Sequence, residues 1–280
     1  MQMKKLIINA DDFGYSENNN IAIQKGFETG IITSTSLMAN MQGFDNVVNI
    51  VIPQIPNIDM GFHFNIMEGK SLTDCPLLCN SDGIFQNSYQ KLIIKSKDKE
   101  FMSQIEQEFR AQIEKCLKYC KISHLDSHVH THAIPIIFNL FVELAKEYNI
   151  KYIRTQRELP YIVFNKVFNT KFPLNIVKNI LLNTYSSINK TALKQTDLKT
   201  NDCFIGVLYT GYMDEQAILS GLKAIKKDNT VTEVIFHPYY SENVPSDKLH
   251  NYKEYLITQN PALKQNIADA GFMLTNYGSI

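Results

Sequence analysis

The sequence has no excess of charge, no long apolar run and no glycine-rich phosphate loop, and each absence removes a class of function. Its 28 basic and 28 acidic residues cancel, so charge gives no argument for a nucleic-acid or membrane-surface partner. No stretch approaches the ~18 unbroken apolar residues of a membrane span. The apolar run after Lys4-Lys5 stops at Asn9, and Asp11 and Asp12 follow, which is too short for a secretory signal. A soluble, cytoplasmic protein without a membrane or nucleic-acid partner is expected. The five cysteines, at 75, 79, 116, 120 and 203, are an odd number and fit reduced thiols better than a disulfide framework. The matched spacing of Cys75/Cys79 and Cys116/Cys120 would suit a four-thiolate zinc site. However, Cys116 and Cys120 share one face of a helical pattern, where burial is the simpler reading. No dinucleotide fingerprint and no serine nucleophile elbow is present.

What the 280 residues do contain is an alternation of short β-branched runs with amphipathic stretches. Strands are expected at Lys4–Ala10, Ile32–Ala39, Asp59–Ile66, Ile122–Asp126, Lys151–Thr155, Cys203–Tyr209, Val231–Phe236 and Phe272–Asn276. Helical patterns separate most of them, among them Glu17–Thr29, Lys99–Cys120, Pro135–Tyr148, Asp214–Lys227 and Pro261–Ala270. A polar stretch from Glu68 to Ser88 reads as a long loop. Pro160–Lys194, within a segment 160–200 that reads as an insertion, has helical periodicity and could be a hairpin of two helices. Eight strands with intervening helices and no low-complexity linker predict one domain over 1–280, an α/β fold of distorted (β/α) barrel type. An open doubly wound sheet is the competing arrangement.

Six of the seven histidines fall at expected strand ends, His250 in a polar helix reading as an exposed bystander. Asp11 and Asp12 follow the first strand, His63 lies in the third, His128 follows the fourth, Arg154 ends the fifth and His237 the seventh. In a parallel barrel the C-terminal strand ends form one rim, where such enzymes build their sites. The densest group is His124-Leu125-Asp126-Ser127-His128-Val129-His130-Thr131-His132. Imidazole and carboxylate together are ligands for Zn²⁺, and carboxylate also suits Mg²⁺ and Mn²⁺. In an extended segment residues two apart share a face, so one or two of these histidines could enter a site together, with Asp126 or Ser127 orienting a ring. Adjacent Asp11 and Asp12 would point in opposite directions, one toward a metal and one toward water or substrate. His63 shares its face with Asn65, which could fix the ring or touch a substrate.

As a set, Asn9-Ala10-Asp11-Asp12-Phe13-Gly14, Ile31-Ile32-Thr33-Ser34-Thr35-Ser36, Gly61-Phe62-His63-Phe64-Asn65, His124-Leu125-Asp126-Ser127-His128-Val129-His130 and His237-Pro238 resemble the YdjC-like (ChbG) carbohydrate deacetylases in order and spacing. That resemblance implies a distorted (β/α) barrel, one divalent metal, described as Mg²⁺ with Zn²⁺ or Mn²⁺ also chemically suitable, and hydrolysis of N-acetyl groups from chito-oligosaccharides or their phosphates. Carried over by position, Asp12, His63 and His128 match the metal triad and Asp11 the neighbouring catalytic carboxylate. The chain has His128-Val-His-Thr-His where the family often has three consecutive histidines, leaving open which of His130 and His132 faces the site.

The resulting expectation is a metal-dependent amidohydrolase with an N-acetylated oligosaccharide as substrate, acting as a single chain or a homodimer. Asp11 would be the base, Arg154 an oxyanion donor, and His237, or His132 as second choice, the acid that protonates the leaving amine. Phe13, Phe62 and Tyr239 could stack on sugar faces. Two rivals stand beside it: a two-metal phosphoesterase, which needs more acidic ligands, and a non-catalytic sugar-binding protein, which has no need of Asp11 as a base.

Overall fold

A computed structural model describes residues 4–194 and 196–280. Eight strands are present: β1 (Lys4–Phe13), β2 (Ser34–Leu37), β3 (Asp59–Phe64), β4 (His124–Ser127), β5 (Tyr152–Ile153), β6 (Cys203–Ile205), β7 (Val231–Phe236) and β8 (Phe272–Thr275). They form one parallel sheet in the order β5-β4-β3-β2-β1-β7-β6, with β8 paired to β1. β8 takes Lys4–Ile7 of β1 and β2 takes the residues from Asn9 onward, while β7 runs along the other edge. The sheet therefore curls into a half-barrel, and β5 and β6 do not pair. Between them runs the segment 199–201: Lys199 N–H donates to Lys151 O, Ile153 N–H to Lys199 O, and the Asn201 amide holds the Thr155 backbone.

The sheet is covered by helices for the reason their sequences predict, a buried apolar stripe. Helix Lys99–Leu117, capped by the Asp98 side chain, buries Phe101, Ile105, Phe109 and Ile113. Its Phe109 meets Phe62 of β3 edge-on at 5.0 Å and Phe141 of helix Pro135–Glu147 at 4.9 Å, the offset geometry aromatic pairs prefer. Phe62 is wholly buried in this core, as is Phe13, so neither is available to a sugar.

Two departures from the expected elements have local causes. β6 stops at Ile205, four residues early, because the buried Glu158 carboxylate draws in the N–H groups of Gly206, Val207 and Leu208 at 3.1, 2.9 and 2.9 Å. A chain bonded to one carboxylate through three successive amides cannot continue a ladder. The segment after Pro160 is not a helical hairpin. It forms a short 3₁₀ turn at Phe164–Lys166 and a single helix of 22 residues, Phe172–Leu193, with Pro173 in its first turn. All five cysteines are free thiols, and among the described residues none belongs to a group within metal-ligand reach. No described helix is long and apolar enough to cross a membrane.

Candidate active site

The site begins at a break in β1. The β1–β2 register shifts between Ala10 and Phe13, and Asp12 sits at φ 67° in the left-handed region. A bulge of this kind re-aims a side chain at the end of a strand. Asp12 reaches His63 of β3, with Oδ1 3.3 Å from Nε2, and His128 beyond β4, with the same oxygen 2.9 Å from Nδ1. One ligand atom from each of the three lies within 4.8 Å of the others. His63 is fixed from behind: its Nδ1 is 2.6 Å from Asp126 Oδ1. A carboxylate only accepts, so Nδ1 carries the proton and Nε2 faces Asp12, the carboxylate–histidine arrangement that orients a metal ligand. Asn65 does not hold the His63 ring. Its Oδ1 accepts from Met67 and Glu68 N–H and its Nδ2 donates to Glu68 O, which shapes the following loop.

Electrostatics describe the same centre. Burial alone would raise the Asp12 carboxyl, but the His128 charge and hydrogen bonds from both histidines outweigh it and hold Asp12 well below the carboxylate range. Burial opposes charge on His63 too. Asp126 and Asp12 overcome it and lift His63 to about 10, while Asp12 and Glu68 lift the less deeply buried His128 to about 9. Two imidazoles pulled toward the cationic form beside buried carboxylates mark a place that demands positive charge, and one carboxylate with two imidazoles is a sound donor set for a divalent ion.

Beneath lies a second buried group, Asp11, His63 and Asp126, whose positive charge Arg154 supplies. Arg154 is wholly buried and donates through Nη1 and Nη2 to the two oxygens of Asp11, at 2.8 and 2.7 Å, and through Nε and Nη2 to Glu233 Oε1. Nη2 also meets Asp126 Oδ2 at 2.7 Å. Against the cost of burial, Arg154 holds Asp11 below its ordinary range. Burial wins at Glu233, raised to about 7 despite Arg154. With its donors spent on carboxylates, Arg154 offers nothing to an oxyanion in the cavity. It is a clamp beneath Asp11. Sequence reasoning does not reach Glu233, although a lone acid inside the apolar run Val231-Thr-Glu-Val-Ile-Phe236 is the signal that marks it.

The histidine cluster is not extended. His128–Ala133 is a 3₁₀ segment in which Val129 (φ 54°) and His130 (φ 55°) are left-handed, so residues two apart do not share a face. Ser127 accepts the His132 N–H and lies 2.6 Å from its Nδ1, which turns the fully buried His132 inward. Burial pushes that ring down to about 3, and a ring that is neutral and enclosed cannot protonate a leaving group. His124 stacks on Tyr277 at 4.0 Å and is structural.

A cavity of about 360 Å³ opens above these residues, lined by Asp11, His128, His130 and His237 with Tyr89 and Leu182 among its walls. His237 Nε2 is 4.0 Å from Asp11 Oδ2, and Glu254 accepts its backbone N–H at 2.6 Å. Burial opposes charge on His237, but Glu254 and the two aspartates outweigh it and raise it to about 9. His130 has a buried Nδ1 with no partner. An adjoining cavity holds Asp12, Tyr15, Glu68, Lys248 and His250, so His250 stands on its rim rather than apart. The aromatics at the two cavities are thus Tyr89 and Tyr15; Tyr239 lines neither.

A sequence model of a family described as YdjC-like protein matches residues 5–269. The chain is 29% identical over 282 residues to a carbohydrate deacetylase of Clostridium beijerinckii, which covers 99% of this chain and 100% of that protein. It is 28% identical over 279 residues to a carbohydrate deacetylase of Geobacillus stearothermophilus, covering 97% and 96%. A Brevibacillus brevis carbohydrate deacetylase is 36% identical over 148 residues, 52% of this chain and 57% of that protein. Among solved structures, an Enterococcus faecalis protein provisionally ascribed to cellobiose-phosphate cleavage superposes with a TM-score of 0.78 at 22% identity, covering 99% of this chain and 98% of that one. At that identity the likeness extends to the fold.

Proposed function

We propose that this chain, which belongs to the YdjC-like family, is a metal-dependent deacetylase of N-acetylated sugars, with chito-oligosaccharides or their phosphates as the substrate class. One observation carries the reading: Asp12, His63 and His128 converge as a ligand set, and Asp11, held by Arg154, lines the same cavity as His128. Its relatives named carbohydrate deacetylase support the reaction.

Asp12, His63 and His128 would hold the ion, with Asp126 fixing the His63 tautomer. When bound, a divalent ion supplies Lewis acidity toward the amide carbonyl and a lowered pKa for water. Asp11 takes the proton from the attacking water. Its Oδ2 faces His237, and the bidentate grip of Arg154 prevents the carboxylate from turning away. His237, kept in its acid form by Glu254 and the aspartates, donates from Nε2 to the departing amine. His130 contributes to the cavity wall, with its unpartnered Nδ1 buried behind it. The two imidazoles in the donor set favour Zn²⁺ or Mn²⁺ over Mg²⁺, which prefers an all-oxygen shell.

A two-metal phosphoesterase would need a second ligand set within about 4 Å of the first. Of the neighbouring carboxylates, Asp11 and Asp126 are bonded to the Arg154 guanidinium, and Glu68 accepts from the Tyr15 hydroxyl. The discriminating experiment is acetate release from N-acetylated chito-oligosaccharides and from their phosphates, after EDTA and after restoring Mg²⁺, Mn²⁺ or Zn²⁺ singly. No acetate release with any ion, together with hydrolysis of a phosphate ester, would refute the proposal.

A further inference from the structure

The catalytic groups stand where two cavities meet, and the two differ in chemistry. His128, Thr210 and His237 line both. Asp12, Tyr15, Glu68, Lys248 and His250 belong to the smaller one, of about 280 Å³, and their charged and hydroxyl groups suit a sugar. The larger, of about 360 Å³, is walled by Tyr89, Val129, Leu181, Leu182 and Val207. Outside the catalytic set, its polar members are spent elsewhere. The Thr210 hydroxyl donates to Gly206 O, the Tyr89 hydroxyl donates to His130 O at 3.4 Å, and His130 Nδ1 is buried. Lys178 is exposed, so its ammonium can stay in water.

The apolar wall is backed by the fold. Helix Phe172–Leu193 turns Asn175, Asn179, Ser186 and Asn189 inward, each bonded to the protein. Between Asn179 and Ser186, where the helix meets the cavity, its buried residue is Leu182. Leu182 and Val207 pack with Ala133, Phe204 and Ile235 in a small cluster apart from the main core. Close packing behind the wall fixes its shape.

The scissile amide has two halves, and the two cavities divide them. A pyranose in the larger cavity would strip water from its hydroxyls and gain no partner for them. An acyl chain has no such cost and is driven into apolar surroundings. An acetyl methyl would leave most of that space unfilled. An apolar cavity of ~150 Å³ already holds a benzene ring, and this one is more than twice as large.

We propose, resting on the deacetylase reading of the site, that it also hydrolyses N-acyl sugars with longer chains, of about four to eight carbons. The sugar occupies the polar cavity and the chain the apolar one. The bond changes are those of deacetylation. Water gives one proton to Asp11 and adds its oxygen to the acyl carbon. The C–N bond breaks, the chain leaves as the carboxylic acid, and the nitrogen leaves as the amine with the proton from His237.

The test compares kcat/KM of the Zn²⁺-loaded full chain on chitobiose N-acylated with acetyl, butyryl or hexanoyl groups, the released acid being identified by chromatography. Each methylene buried against these walls is worth up to about fourfold. Hexanoyl should therefore exceed acetyl, by on the order of 100-fold if all four added carbons are enclosed. In EDTA, calorimetry should show the N-hexanoyl sugar binding more tightly than the N-acetyl form. Leu181→Trp, folded by circular dichroism, should lower the hexanoyl-to-acetyl ratio by filling the cavity. A hexanoyl constant at or below the acetyl one, equal or weaker hexanoyl binding in EDTA, or an unchanged ratio in Leu181→Trp would overturn the proposal. So would a constant that falls with acyl length but rises from N-acetylglucosamine to N-acetylated chitotriose, which would give the cavity to a further sugar. Acetate release without hexanoate release overturns this proposal alone; no acid from any substrate overturns the deacetylase reading with it.

Discussion

Substituting Asp126 by asparagine keeps the shape of the side chain and changes what it can accept. In the wild type, Oδ1 receives the His63 Nδ1 proton at 2.6 Å, while Oδ2 receives the Ser36 hydroxyl at 2.5 Å and Arg154 Nη2 at 2.7 Å. Every partner is a donor, and an amide has one accepting atom. If the amide oxygen faces His63, its NH₂ group points at Arg154, donor against donor, and the Ser36 hydroxyl loses the oxygen it donates to. If it flips, its NH₂ meets His63 Nδ1 and imposes the other tautomer, placing a proton on the Nε2 that should ligate the metal. Asp126 is buried together with all three partners, so no water is at hand to resolve the conflict.

Outer-shell carboxylates of this kind are worth about 10–100-fold in metal affinity, or ~1.4–2.8 kcal/mol. Competition against a chromophoric zinc chelator measures the affinity directly. Calorimetry in two buffers of different ionisation enthalpy counts the protons released. The expectation for Asp126→Asn is affinity weaker by ~10–100-fold, with acetate release restored in part at saturating metal. Wild-type affinity and an unchanged proton count would refute the assignment of His63 Nε2 as the ligand atom.

Asp11→Asn should lower kcat by ~10²–10⁴ through loss of the base while leaving the zinc dissociation constant within a few-fold; a comparable fall in metal affinity would make Asp11 a ligand instead. Glu233, about 7 in the fold against 4.5 as a free side chain, favours the folded state below pH 4.5, and that contribution is lost as pH rises through 7, by at most ~3 kcal/mol. Glu233→Gln should therefore flatten the pH dependence of the urea midpoint between pH 5 and 8 in EDTA, since a glutamine oxygen still accepts from Arg154; an unchanged slope would contradict the burial argument. Gly61→Ala would put a Cβ 2.3 Å from the His124 ring, which Tyr277 blocks from retreating. It should lose ~1–3 kcal/mol of stability, with thermal unfolding as the readout.

Strand count, strand order along the chain and the position of each acidic or histidine residue at a strand end were legible because each rests on a short local pattern. The residues that orient the site were less so. Arg154 reads as a cavity-facing cation at the end of a strand, but three carboxylates from β1, β4 and β7 enclose it. No local pattern reports partners as distant as Asp11 and Glu233, 143 and 79 positions away. The histidine cluster misled for the opposite reason. Alternation assumes an extended chain, and Val129 and His130 leave it by adopting left-handed backbone, a conformation that costs a β-branched residue of order 1–3 kcal/mol. That cost is set against bonds made elsewhere: Ser127 accepts from His132 N–H and Thr131 Oγ1, which closes the turn and leaves His128 toward Asp12 with His130 at the cavity. The long helix shows the same limit in its amphipathicity. Its periodicity was visible, but periodicity identifies two faces without saying which is inner. The assumption that the apolar face is buried fails where asparagines are needed to satisfy the loop backbones of Ala133, Leu208 and Thr210. Once those carbonyls claim the polar face, the apolar side chains Leu174, Val177, Ile180 and Ile188 are left exposed on the opposite one.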